Sequence, residues 1–71
     1  MILLLNPLLE ALQVARQAAR EAIRADDEVT VDDRGDHWIF EFIPRKDVFG
    51  GGARVSIAKV DFRILNVLRE Q

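Results

Sequence analysis

The chain predicts an α+β fold: one N-terminal helix packed on a four-stranded antiparallel meander, in the order α-β-β-β-β, cystatin-like or cone-like in outline. Apolar residues recur with helical spacing from Leu8 to Ile23, and after Asp27 the spacing changes to alternation. Turn residues then divide the remainder into short runs of strand length. A chain of 71 residues has room for one core, so 1–71 is read as a single small domain. Within it we expect an N-terminal arm over 1–6, a helix over 7–25 and an antiparallel sheet over 28–69.

The arm, Met1-Ile2-Leu3-Leu4-Leu5, is apolar but is interrupted by Asn6-Pro7 and soon followed by Glu10. It lacks the basic start and sustained apolar run of an export signal, and it is far short of the ~20 residues of a membrane span. An arm packed on its own domain or on a neighbour is expected, with no membrane span and a cytoplasmic location. The competing reading is the remnant of an export signal whose start is missing.

From Leu8 onward, advancing about 100° per residue places Leu8, Leu12, Ala15, Ala19, Ala22 and Ile23 on one face. Glu10, Gln13, Gln17, Arg20, Glu21 and Arg24 fall opposite. Asn6 suits the N-cap and Pro7 the first helical position, where a missing N–H costs nothing. Asp26-Asp27-Glu28 puts negative charge where the helix dipole disfavours it, so the helix should stop near there.

Val29 and Val31 then alternate with Glu28, Thr30 and Asp32 as a first strand. Asp32-Asp33-Arg34-Gly35-Asp36 is a turn in which Gly35 supplies a positive φ. The second strand, His37 to Ile43, puts Trp38, Phe40 and Phe42 on one face and His37, Ile39, Glu41 and Ile43 on the other. Pro44 ends it, because it has no N–H for a ladder. A loop from Arg45 to Gly52 leads to a third strand, Ala53 to Val60, with Val55 and Ile57 inward. Asp61-Phe62-Arg63 turns the chain into a last strand, Ile64 to Leu68.

Composition narrows function. With no cysteine, disulfides, thiolate metal sites and thiol nucleophiles are excluded. Ten basic residues against twelve acidic ones leave a formal charge of −2, which does not favour nucleic acid. Ser56 and His37 are the sole serine and histidine, and no nucleophile-elbow motif surrounds Ser56. Asp32, Asp33 and Asp36 lack the spacing and closing Glu of a calcium loop. Gly50-Gly51-Gly52 lacks the Lys-Ser/Thr and helix of a phosphate loop, and is read instead as a bulge or a backbone approach too close for a Cβ. No enzyme, cofactor or metal site is therefore expected.

What the sequence does offer is surface. A domain this short buries roughly 60% of its unfolded surface and cannot add disulfides, so association is the remaining common route to stability. A single helix covers one sheet face, leaving Ile39 and Ile43 on the other as candidate contacts for a partner. Arg16, Arg20 and Arg24, spaced by four, form a basic ridge whose like charges disfavour an isolated helix and suit an acidic partner. A protein partner or a homodimer is expected, without nucleic acid, since the aromatic face an RNA would stack on is the one the helix covers.

Three segments resemble a known pattern: Asp36-His37-Trp38-Ile39-Phe40, then Gly50-Gly51-Gly52-Ala53-Arg54-Val55-Ser56-Ile57-Ala58-Lys59, then Ile64-Leu65-Asn66-Val67. Their order and spacing are similar to those of bacterial immunity proteins with a nuclear-transport-factor-2-like fold, and more loosely to PepSY-like domains. With the Leu/Ala-rich helix included, the similarity runs from Leu8 to Leu68. The resemblance implies a small non-enzymatic protein that binds and neutralises a cognate bacterial toxin. PepSY-like similarity implies a self-associating structural or regulatory domain instead. A ligand-binding or enzymatic cone domain, the third reading, would need a polar pocket involving His37.

Overall fold

The computed structural model describes residues 7–24, 27–44 and 52–69. The arm 1–6, the proposed N-cap Asn6, and Gly50 and Gly51 lie outside the described residues. Helix α1, Pro7–Ala18, is followed by β1 (Glu28–Asp33), β2 (His37–Ile43), β3 (Ala53–Ala58) and β4 (Ile64–Arg69). The strands form one open antiparallel sheet in the order β1-β2-β3-β4.

The alternation in β2 sorts its two faces as the sequence predicts. Trp38, Phe40 and Phe42 are buried on the inner face, while His37, Ile39, Glu41 and Ile43 point to the open side. Val55 and Ile57 of β3 complete the inner face, both 0% exposed. Pro44 ends β2 and Gly35, at φ 93°, makes the first hairpin turn. Gly52 is held at the same φ, and its N–H donates to the Ala22 carbonyl at 2.8 Å. A Cβ there would stand 2.9 Å from the Phe42 carbonyl oxygen and 3.1 Å from Pro44 Cδ. At Gly52 the close backbone approach read from the sequence is thus present.

The helix departs from its predicted form in two ways. It ends at Ala18 rather than near Ala25, and residues 19–22 continue as turns. Beyond Ala18 the bonding changes: Ala22 N–H reaches back only to Ala19 (2.8 Å), a turn bond, and Ala22's own carbonyl is taken by Gly52. Asp27 then accepts from Arg24 N–H at 3.0 Å, and Arg69 caps the Ala18 carbonyl at 3.1 Å from across the sheet. Such bonds satisfy the carbonyls that a helix end leaves open.

The second departure is at the start of the buried face: Ala15 and Ala19 are buried and Leu12, Ala22 and Ile23 pack on the core as predicted, but Leu8 gives way to Ala11. Ala11, Ala15 and Ala19 carry that face at 0% exposure, Leu12 is half-buried, and Leu8 is 37% exposed. Alanines at i, i+4 and i+8 let the backbone of α1 sit close to the sheet, where leucines would hold it off.

Helix α1 lies over β3 and β4. Val31 of β1, although on the inner face opposite Phe40, is therefore 45% exposed. Strand β3 ends at Ala58, two residues earlier than predicted, because Phe62 N–H closes a turn onto the Ala58 carbonyl at 3.0 Å. Phe62 takes a left-handed φ of 59° and stacks on Trp38 with centroids 6.3 Å apart. Lys59 then spans the Trp38 ring (5.3 Å) to reach Asp33 Oδ1 at 2.7 Å, tying the β3–β4 turn to β1.

Candidate functional site: an arginine-lined groove

The early end of α1 gathers the arginines that the sequence had placed on one ridge. Arg16, Arg20 and Arg24, with Gln13, Gln17 and Ile23, line an open groove of about 430 Å³. Arg16 is half-buried, its guanidinium carbon 5.8 Å from the centre of the Phe42 ring, which fixes one wall of the groove. Arg20 and Arg24 are exposed. Gln13, Gln17 and Ile23 were not singled out as surface contacts by the spacing. Ile23, assigned to the buried face, is half-buried against the core and also lines the groove.

These arginines differ from the other described cations. Arg34 pairs with Asp32 at 2.8 Å, Arg54 with Glu41 at 3.4 Å, Lys59 with Asp33 at 2.7 Å and Arg63 with Asp61 at 3.3 Å. Arg69 is spent on the Ala18 carbonyl. Among the described residues, Arg16, Arg20 and Arg24 are the cations whose side chains have neither a carboxylate nor a carbonyl partner, in a chain whose acids outnumber its bases. The groove is a local positive field on a net negative molecule.

The open sheet face carries Ile39 and Ile43, but not as a patch. Ile39 is flanked in register by Asp32 and Ser56, and Glu41 separates it from Ile43. The Asp32–Arg34 and Glu41–Arg54 pairs cross the same surface. A face of this kind is a solvated antiparallel surface with isolated apolar residues. More apolar exposure lies along β4, where Ile64, Leu65 and Leu68 are 44%, 51% and 51% exposed.

The acidic turn is internally paired. Asp33 accepts from Lys59 and from Gly35 N–H (2.9 Å), and these bonds, Lys59's first, hold its carboxyl below the usual carboxylate range. Asp36 is lowered likewise by the hydrogen bond from the His37 ring, Nδ1 to Oδ1 at 2.6 Å. Among the described residues no three His, Asp or Glu side chains converge as metal ligands. His37 and Ser56 share the open face, yet Ser56 is paired across the ladder with Ile39 and has no hydrogen bond to His37. A serine nucleophile would need its base within hydrogen-bond reach.

No family model, curated protein or solved structure matches this chain. The groove's meaning has to be argued from its own chemistry. No described helix is long and apolar enough to cross a membrane.

Proposed function

We propose that the chain is a non-enzymatic protein-binding module that docks an acidic surface of a partner in the groove of Arg16, Arg20 and Arg24. The observation that carries this reading is that these are the described cations bonded to neither an acid nor a backbone carbonyl. Guanidinium groups make bidentate, charge-assisted bonds to carboxylates, and in an open groove they are free to do so. The groove is too open to enclose a small molecule, and Ile23 beside the two glutamines suits the mixed surface of a protein segment. A nucleic acid is the poorer fit, since Trp38, Phe40 and Phe42 are covered and cannot stack bases.

The immunity-protein resemblance gives the partner a concrete form: a toxin encoded beside this chain, neutralised when its surface is occluded. The test is binding of the purified chain to the adjacent gene's product, measured by calorimetry at two salt concentrations. A complex is expected that weakens as salt rises and loses at least tenfold in affinity in the R20E/R24E variant. Arg16 is left intact because it packs on Phe42. No complex, or one indifferent to the double reversal, would refute the reading. A chain that binds an unrelated polyanion such as heparin as tightly would point to a non-specific basic patch.

A further inference from the structure

The open sheet has two edge strands, β1 and β4, each presenting a row of backbone N–H and C=O groups that pair with no other strand of the sheet. Their chemistry differs. β1 carries Glu28, Asp32 and Asp33 among six residues, so two such edges meeting would set like charges opposite one another. β4 has no acidic residue, and its one cation, Arg69, is turned inward to the Ala18 carbonyl. Nothing on β4 repels a second β4. Ile64, Leu65 and Leu68 stay about half exposed along it, although leucine and isoleucine are costly to leave in water.

The surroundings of β4 extend the surface. Beside Ile64 the flank of α1 opens into a depression of about 400 Å³ lined by Glu10, Gln13, Val14, Gln17 and Ala18. A bulge opposite Ser56/Ile57 perturbs the start of β4, whereas Asn66 to Arg69 keep regular register with Ser56 to Ala53. That leaves a straight segment able to accept another strand.

We propose that β4 pairs antiparallel with the β4 of a second copy of this chain about a two-fold axis, joining two four-stranded sheets into one of eight strands. An antiparallel pairing of a strand with itself is isologous and closes at two copies. It brings Leu65 and Leu68 into the seam, on opposite faces of the joint sheet, and removes both β4 edges. It also places the two helices on one face of the joint sheet, where the Val14 and Ala18 flanks meet. A β4 edge of about 20 Å and the helix flank together bury roughly 1,000 Å² in total, the lower end of specific interfaces. The dimer therefore dissociates with a constant on the order of micromolar. With both helices on one face, the arginine grooves are displayed as a pair, although the dimer does not depend on what they bind.

The experiment is sedimentation equilibrium of the full chain from about 1 to 500 µM, a range that brackets a micromolar constant. The mass should rise from that of the 8.1 kDa chain toward twice that value. Leu65→Lys with Leu68→Lys should raise the dissociation constant at least tenfold while Trp38 fluorescence still reports a buried indole. Val31→Lys, on the exposed part of β1, should leave it unchanged. A monomer across the whole range overturns the proposal, as does a dimer broken by Val31→Lys but not by the lysine pair. Growth beyond two copies would also overturn it, because it would mean β1-to-β4 stacking without closure. Should the lysine pair fail to fold, amide exchange of the unaltered chain decides: residues 65–69 must gain protection with concentration, and those of β1 must not.

Discussion

Replacing Gly52 with alanine tests the contact that joins the loop to the helix end. Two independent penalties apply. An L-residue at φ 93° is strained by about 1–2 kcal/mol. The new Cβ would also stand 2.9 Å from the Phe42 carbonyl oxygen and 3.1 Å from Pro44 Cδ. The backbone must move to relieve this, and the 2.8 Å bond from Gly52 N–H to the Ala22 carbonyl is the first to suffer, at about 1 kcal/mol. The sum is about 2–4 kcal/mol, a large share of the ~4–10 kcal/mol that stabilises a chain of this length. Gly35→Ala is the matched control, because Gly35 has the same φ of 93° but nothing within 4 Å of its added Cβ. It should cost only the strain, about 1–2 kcal/mol. Urea unfolding followed by Trp38 fluorescence separates the two. With a slope near ~1 kcal/mol per molar, the midpoint should fall by about 2–4 M for Gly52→Ala and about 1–2 M for Gly35→Ala. Equal shifts in the two variants would refute the steric argument, and no shift in either would refute both halves of it.

Other consequences can be measured in the same way. Ala15→Leu adds volume where α1 meets the sheet at 0% exposure, and should destabilise by about 1–3 kcal/mol in urea unfolding despite its better hydrophobicity. Leu8→Gln, at a position 37% exposed, should change stability by less than about 1 kcal/mol, whereas a core leucine would lose several. Phe40→Ala, which empties a site 1% exposed, should cost about 3–5 kcal/mol and lower the urea midpoint by about 3–5 M. The Asp33 carboxyl lies below its ordinary value in the folded chain, so its contribution is present in full above the unfolded pKa and is lost as pH falls through the folded one. Asp33→Asn should therefore flatten the acid limb of the urea midpoint below about pH 4 without abolishing it, since Asp36 is lowered as well. An unchanged acid limb would remove the Lys59 bond from the account.

The strands and their faces were legible in the residues because a strand's side-chain period is local and a one-residue slip would expose Trp38, Phe40 and Phe42 together. Gly35, Pro44 and the glycine before Ala53 were legible for the same reason, as each restricts the backbone at its own position. The end of α1 was not. Leu8 to Ile23 reads as helical to the last residue, whereas in the fold bonds from Gly52 and Arg69, distant in sequence, take the carbonyls of Ala22 and Ala18. On the buried face Ala15 and Ala19 were legible in the spacing, and only the exchange of Leu8 for Ala11 was not. Phe62 stacking on Trp38 across the turn had no signal in the spacing at all.

For the surface the division is sharper. Spacing by four suffices to put Arg16, Arg20 and Arg24 near one another, because a helix repeats every 3.6 residues. Arg34 and Arg63 find an acid two residues away, whereas Arg54 and Lys59 reach Glu41 and Asp33 only because the strands and turns bring distant charges together. Ile39 and Ile43 were read as an apolar face from alternation alone, and cross-strand register dilutes them with Asp32, Ser56 and Glu41. Local composition thus determined one helix, four strands and which residues point inward. Where the helix stops, which charges are left over and which edge stays apolar depend on contacts between segments far apart in the chain, and those only the folded molecule decides.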